Sequence, residues 1–180
     1  NVEVNILGGS VGNNFYAFDG TTVNISGGIV GRFIADDGST VNISGGEFDS
    51  TFDAFDGVVN ISGGTISNQF RTAFGTVNIS GGEFASFLAS RGLVNISGGS
   101  LGDHFTANVD STVNIAGGTF GDEFEVAQNS AVVLLGGEFR LDGVLIGGLD
   151  TFGNTQVFNL PSGAVLSGTF ADGTPFAFSS

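Results

Sequence analysis

Apolar positions along this chain recur in register from one short segment to the next, with glycine at fixed points between them. The string V-N-I-x-G-G begins at Val4, Val23, Val41, Val59, Val77, Val94 and Val113, and in the altered form V-V-L-L-G-G at Val132. Successive starts lie 19, 18, 18, 18, 17, 19 and 19 residues apart. Four apolar columns can be read down these units. The first is the leading Val, and the second is Ile6, Ile25, Ile43, Ile61, Ile79, Ile96, Ile115 and Leu134. The third is Val11, Val30, Phe48, Ile66, Phe84, Leu101, Phe120 and Phe139. The fourth is Phe at 15, 33, 52, 70, 87, 105 and 124, followed two residues later by a small or short side chain, as at Ala17, Ala54 and Thr72.

Within each unit the V-N-I and F-x-A segments alternate apolar and polar with period two, and glycine interrupts them within a few residues. That pattern predicts strands and excludes helical repeats. Each unit reads as three short strands. A Gly-Gly corner, as at Gly27-Gly28 and Gly45-Gly46, follows the first strand, because glycine enters positive φ without steric cost. An Asp-Gly corner, as at Asp19-Gly20, Asp37-Gly38 and Asp56-Gly57, closes the coil.

The fold class expected is all-β. It is a single-stranded parallel β-helix, or β-solenoid, with three strands per coil of 17 to 19 residues. About eight regular coils occupy residues 1–143. Residues 144–180, with V-L-I-G-G at 144–148 and the segments 156–160 and 164–170, are expected to add irregular coils that cap the same domain. An open coil end is an exposed sheet edge. No matching cap precedes Val4, so the first coil is expected to present such an edge. Variable coil length, in place of strict hexapeptide spacing, favours right-handed winding.

Composition narrows the functional classes. The 32 Gly and 19 Phe are those of a repeat protein, and 41% hydrophobic residues with a positive mean hydropathy exclude a disordered chain. A formal charge of −14, with only four basic side chains, all Arg, opposes binding to nucleic acid. The longest aliphatic run, 131–135, is far too short for a membrane-spanning helix. No membrane insertion is expected. Without an initiator Met or a basic and apolar leader, the chain reads as a mature product or a piece of a longer one.

The pattern V-N-I-S-G-G-x-F-G-x-x-F-x-A-x-x-G-S-T, with the ending L-P-S-G-A-V-L-S-G-T-F-A-D-G-T-P-F at 160–176, resembles the repeats of exported bacterial parallel β-helix proteins. The resemblance covers nearly the whole chain and implies an extracellular or cell-surface location. It supplies no catalytic residue, since that broad group includes polysaccharide-active enzymes, adhesins and structural surface proteins.

Several outward residues are candidates for chemistry. Thr22, Asn24 and Ser26 recur as Thr40, Asn42 and Ser44, then as Asn60 and Ser62, and as Thr76, Asn78 and Ser80. Such a face reads first as an amide and hydroxyl ladder that stabilises stacked strands. Its second reading is a surface matched to an ordered lattice such as ice or a crystalline polysaccharide, against which Val58 and Leu93 interrupt the Thr column. Asn24, Asn42, Asn60, Asn78 and Asn95 head N-I-S sequons and are formal glycosylation sites, although glycans one strand apart would crowd. The acidic corners, Asp19, Asp36, Asp37, Asp56 and Asp110, offer hard oxygen ligands for Ca²⁺. They read first as solvated turn residues, and the calcium-binding nonapeptide G-G-x-G-x-D-x-U-x is absent.

No other cofactor or metal is expected, and no catalytic residue. His104 is expected to point outward in a turn, and Tyr16 is the only tyrosine. Glu47, Glu83 and Glu138 share one outward column with Thr65, Ser100 and Thr119, without the cleft that paired carboxylates need for glycoside hydrolysis. Phe18, Phe55 and Phe74 flank the closing corner, where they either cover the end of the core or stack on sugars. The function expected is a non-catalytic extracellular structural rod: a spacer, surface element or filament subunit that pairs with copies of itself end to end. The alternatives are a module binding carbohydrate or an ordered surface, and a non-catalytic fragment of a polysaccharide-active enzyme.

Overall fold

The computed structural model describes residues 2–127, 129–149, 154–157 and 161–179. All regular structure in them is β, and strands about one repeat apart stack in parallel. The leading segment of each unit pairs residue for residue with the next. Val2–Ile6 pairs with Thr21–Ile25, which pairs with Thr40–Phe48, and the series runs on through Val58–Ala73, Thr76–Ile79, Leu93–Leu101 and Thr112–Phe120 to Ala131–Leu134. In this register Val sits on Val, Asn on Asn and Ile on Ile from coil to coil. The Phe segments do the same: Phe15 sits beside Phe33, then Phe52, Phe70, Phe87, Phe105 and Phe124. The chain is therefore a parallel β-solenoid of about seven turns.

The core is the set of inward columns. Val23, Val41, Val59, Val77, Val94 and Val113 are fully buried, and so are Phe33, Phe52 and Phe70. Rings stack along the axis at 4.9 Å from Phe33 to Phe52 and from Phe52 to Phe70, and at 5.0 Å from Phe70 to Phe87. These separations are the strand spacing of about 4.8 Å, so backbone pairing and ring stacking impose the same repeat. Phe48 and Phe84, from the third column, meet the stack edge-on. Beside each Phe the alanine column is small enough to let the coil close.

The corners bend without breaking the ladder in several coils. Thr40–Phe48 continues through its Gly-Gly corner, and Val58–Ala73 runs through all three sides of its coil. The two glycines at this corner serve different ends. The second, as at Gly64, lies at φ +95. The first, as at Gly63, has ordinary φ but lies so close to the coil below that a Cβ would stand 2.6 Å from the Ser44 carbonyl oxygen.

The end of the chain differs from the expected irregular coils. Ala131–Leu134 is the first side of an eighth coil, and parallel stacking stops there. From Gly136, earlier than residue 144, the chain forms an antiparallel four-stranded sheet in the order Val144–Leu145, Gly136–Leu141, Val165–Phe170, Pro175–Ser179. Pairing of Gly136 with Phe170 and Gly137 with Thr169 takes the corner out of the coil path. Phe139 therefore leaves the third column and packs against Phe176. Of the expected coil at 156–160, residues 158–160 lie outside the described residues, and 156–157 carry no strand.

This sheet closes the last full coil as a cap. Phe178 stacks on Phe124 at 4.2 Å, where a further rung of the Phe column would stand. The Ala171 and Asp172 N–H groups donate to the carbonyls of Leu135 and Ala116. The Asp172 carboxylate accepts from the N–H of Gly118 at 3.1 Å and of Thr174 at 2.8 Å.

Candidate binding face and a buried ion pair

The outward side of the V-N-I strands carries a polar ladder that runs through seven coils. Each Asn Nδ2 donates to the Oδ1 of the Asn one coil nearer the N-terminus, at 2.8 to 2.9 Å, from Asn114 through Asn95, Asn78, Asn60, Asn42 and Asn24 to Asn5. At the N-terminal end the Glu3 carboxylate accepts from Asn24 at 3.1 Å and from Asn5 at 3.4 Å. At the other end the column passes to Val133, which has no amide. The amide part of the ladder is thus continuous, and the amides all point the same way along the rod.

Beside the ladder, Ser26, Ser44, Ser62, Ser80 and Ser97 are exposed. Ser62, Ser80 and Ser97 donate to the Ile carbonyls of the preceding coil. Asn and Ser columns together line a shallow, open groove of about 600 Å³ that spans the coils from Leu7 to Ser97. Thr22, Thr40 and Thr76 border it and are half-buried, with exposed Val58 and Leu93 interrupting their column. At the sequons, Asn24, Asn42, Asn60, Asn78 and Asn95 are half-buried and their Nδ2 atoms are the ladder donors. A glycan on any of them would have to share that nitrogen with the ladder bond.

The remaining candidates do not converge. Among the described residues no three His, Asp or Glu side chains come together to hold a metal ion, so Asp19, Asp36, Asp37, Asp56 and Asp110 stand as separate turn residues. Asp36 accepts from the N–H of Asp37, and its carbonyl accepts from Ser39 Oγ. At Asp56 and Asp110 the positive φ falls on the aspartate itself, with values of 56 at both. Gly57 is needed for another reason: a Cβ there would meet Ser39 Oγ at 2.8 Å. His104 points outward, at φ 65, and pairs with Glu123 of the next coil. Glu47, Thr65, Glu83, Ser100 and Thr119 do form one outward column, which Glu138 leaves when the chain turns into the cap.

The corner aromatics are solvent-exposed. Phe18 and Phe74 are each 59% exposed, and Phe55 is exposed as well. Phe18 lies parallel to Tyr16 at 5.7 Å, and the guanidinium of Arg91 sits 5.6 Å from the centre of the Phe74 ring.

One site escapes the repeat pattern altogether. Asp53 occupies the middle position of its F-x-A segment, facing away from the core, yet its side chain is fully buried. Two arginines cover it: Arg32 Nη2 lies 3.0 Å from Oδ2, and Arg71 Nε donates to Oδ1 at 2.6 Å. Its column neighbours are Ile34 and Arg71, followed by Leu88. The only signal in the sequence is that an acid and a base replace apolar residues in adjacent units of one column.

No family model, no curated protein and no solved structure matches the chain.

Proposed function

We propose that the chain is a non-catalytic structural rod that works outside the cell as a spacer or surface element. The observation that carries this reading is the Asn ladder. The Asn amides lining the open groove are engaged with one another, from coil to coil, which stiffens the stack and leaves few polar groups to converge on a substrate. An acidic surface suits a rod that must remain dispersed at high local concentration. The extracellular placement rests on the likeness of the V-N-I-S-G-G units to those of exported bacterial β-helix proteins.

The test is immunogold labelling of the source cells together with fractionation of their envelope. Label on the outer surface is expected, and label confined to the cell interior would sink the reading. A parallel assay against a panel of polysaccharides is expected to show no depolymerisation. Filament growth through coil ends would require the cap to open, because Phe178 and the backbone of residues 171–172 occupy the C-terminal end of the stack.

A second reading, a polysaccharide-binding face, is favoured by the exposed Ser column along the open groove and by the paired rings of Tyr16 and Phe18. Pull-down on insoluble polysaccharides separates the two. Binding that is lost in Ser62→Lys/Ser80→Lys supports the module, whereas no binding by the parent protein leaves the spacer.

A further inference from the structure

The tetrapeptide Gly-Gly-Glu-Phe occurs three times, at 45–48, 81–84 and 136–139. In the first two places it turns the coil: Gly46 and Gly82 take φ +95 and +96, and Phe48 and Phe84 enter the core. In the third the same four residues open the antiparallel cap, with positive φ shifted from the second glycine to Glu138, at 55. Glutamate is a poor occupant of that region, since its Cβ crowds the backbone there. The local sequence is thus written for one conformation and held in another. The partners that hold it are the pairing of Gly136 and Gly137 with Phe170 and Thr169, and the seating of Phe178 on Phe124.

We propose that residues 136–139 are a two-state segment. In the capped state they pair with Val165–Phe170, as the structure has them. In the alternative they close the next side of the eighth coil already begun by Ala131–Leu134. Phe139 then lies over Phe120, Glu138 extends the outward column of Glu83, Ser100 and Thr119, and Val165–Phe170 and Pro175–Ser179 are released. Release lengthens the rod and bares a fresh parallel edge, so the cap is the element that controls growth at this end. The inference deepens the structural-rod reading but rests on the geometry of the last coil alone.

Glycine 137 separates the two states. In the cap its φ is not positive, and an added Cβ meets nothing within 4 Å. In the coil its counterparts need φ near +95, and an added Cβ there meets backbone atoms at 3.0 to 3.2 Å, as at Gly64. Gly137→Ala therefore penalises the coil and spares the cap.

The experiment is hydrogen–deuterium exchange on the full chain, comparing the parent, Phe178→Ala and Phe178→Ala/Gly137→Ala. In Phe178→Ala, amides of 165–179 should exchange at least tenfold faster while those of 136–139 stay protected. Adding Gly137→Ala should remove the protection at 136–139. Equal exchange of both segments in Phe178→Ala, or no effect of Gly137→Ala, would overturn the proposal without touching the rod reading. Protection of Thr76–Ile79 and Leu93–Leu101 reports whether the body stays folded. If it does not, Asp172→Ala, an exposed change, is read in the same way. Failure of either background to release 165–179 while the body stays folded also counts against it.

Discussion

Truncating Phe70 to alanine would remove a ring that is fully buried and stacked on both faces, by Phe52 at 4.9 Å and Phe87 at 5.0 Å. Because the backbone ladder holds the neighbouring coils apart, the cavity cannot collapse. Phe70→Ala is expected to cost about 3–5 kcal/mol, and Phe15→Ala, at a half-buried rung stacked on Phe33 alone, clearly less. Denaturant melts of the two variants check the order. At Asp53 the arithmetic is electrostatic. Arg71→Ala leaves Arg32 in place and should be mild, since both arginine side chains are about 40% exposed and partly screened. Arg32→Ala/Arg71→Ala strands a buried carboxylate and should cost about 3–5 kcal/mol. Adding Asp53→Leu, next to Ile34 in a column that also holds Leu88, should recover most of that loss in urea titrations.

At the scale of the element, the corner and the cap respond to different chemistry. Gly63→Ala should destabilise by about 1–3 kcal/mol, because its new Cβ would meet a backbone oxygen that cannot move aside. Gly8→Ala, the equivalent change in the first coil, meets nothing within 4 Å and should stay within about 0.5 kcal/mol of the parent. The cap depends on Asp172, whose carboxyl is held below its ordinary value by the Thr174 N–H above all; partial desolvation opposes this, and the Thr174 hydroxyl and the Gly118 N–H add to the lowering. A depressed folded-state value means that the contribution is complete above the unfolded value and is lost as pH falls through the folded one. The difference in melting temperature between the parent and Asp172→Asn is expected to shrink as pH is lowered from about 5 to about 2. The columns were legible in the sequence because identical residues must lie at identical positions for like to stack on like. The third Gly-Gly-Glu-Phe was not legible, because four residues cannot encode a partner strand some thirty positions away. Nor was the whole Arg32–Asp53–Arg71 cluster: Asp53 and Arg71 each follow their Phe and share a column, but Arg32 precedes its own, so the column does not bring it to Asp53. The exposure of Phe18, Phe55 and Phe74 was one of the two readings open to them, since a Phe beside a corner can cover the core or stand in solvent.

For the whole molecule, 18 acidic residues against four basic ones put a net repulsion on a narrow rod. Added salt shortens the range of that repulsion, to about 10 Å at 0.1 M and about 3 Å at 1 M. The melting temperature should therefore rise with sodium chloride in a thermal scan, and a fall would mean that the Arg32–Asp53–Arg71 cluster outweighs the rest. The repeated interface has a further consequence. Each coil touches only the coils directly above and below it, so stability accumulates along the axis in equal increments. The polarity of the Asn column fixes the sense in which a new unit can be added, with its donor side facing the acceptor already there. Length in this molecule is therefore digital: duplicating one 18-residue unit, such as 59–76, should advance everything beyond it by a single strand spacing and leave both termini facing as they did.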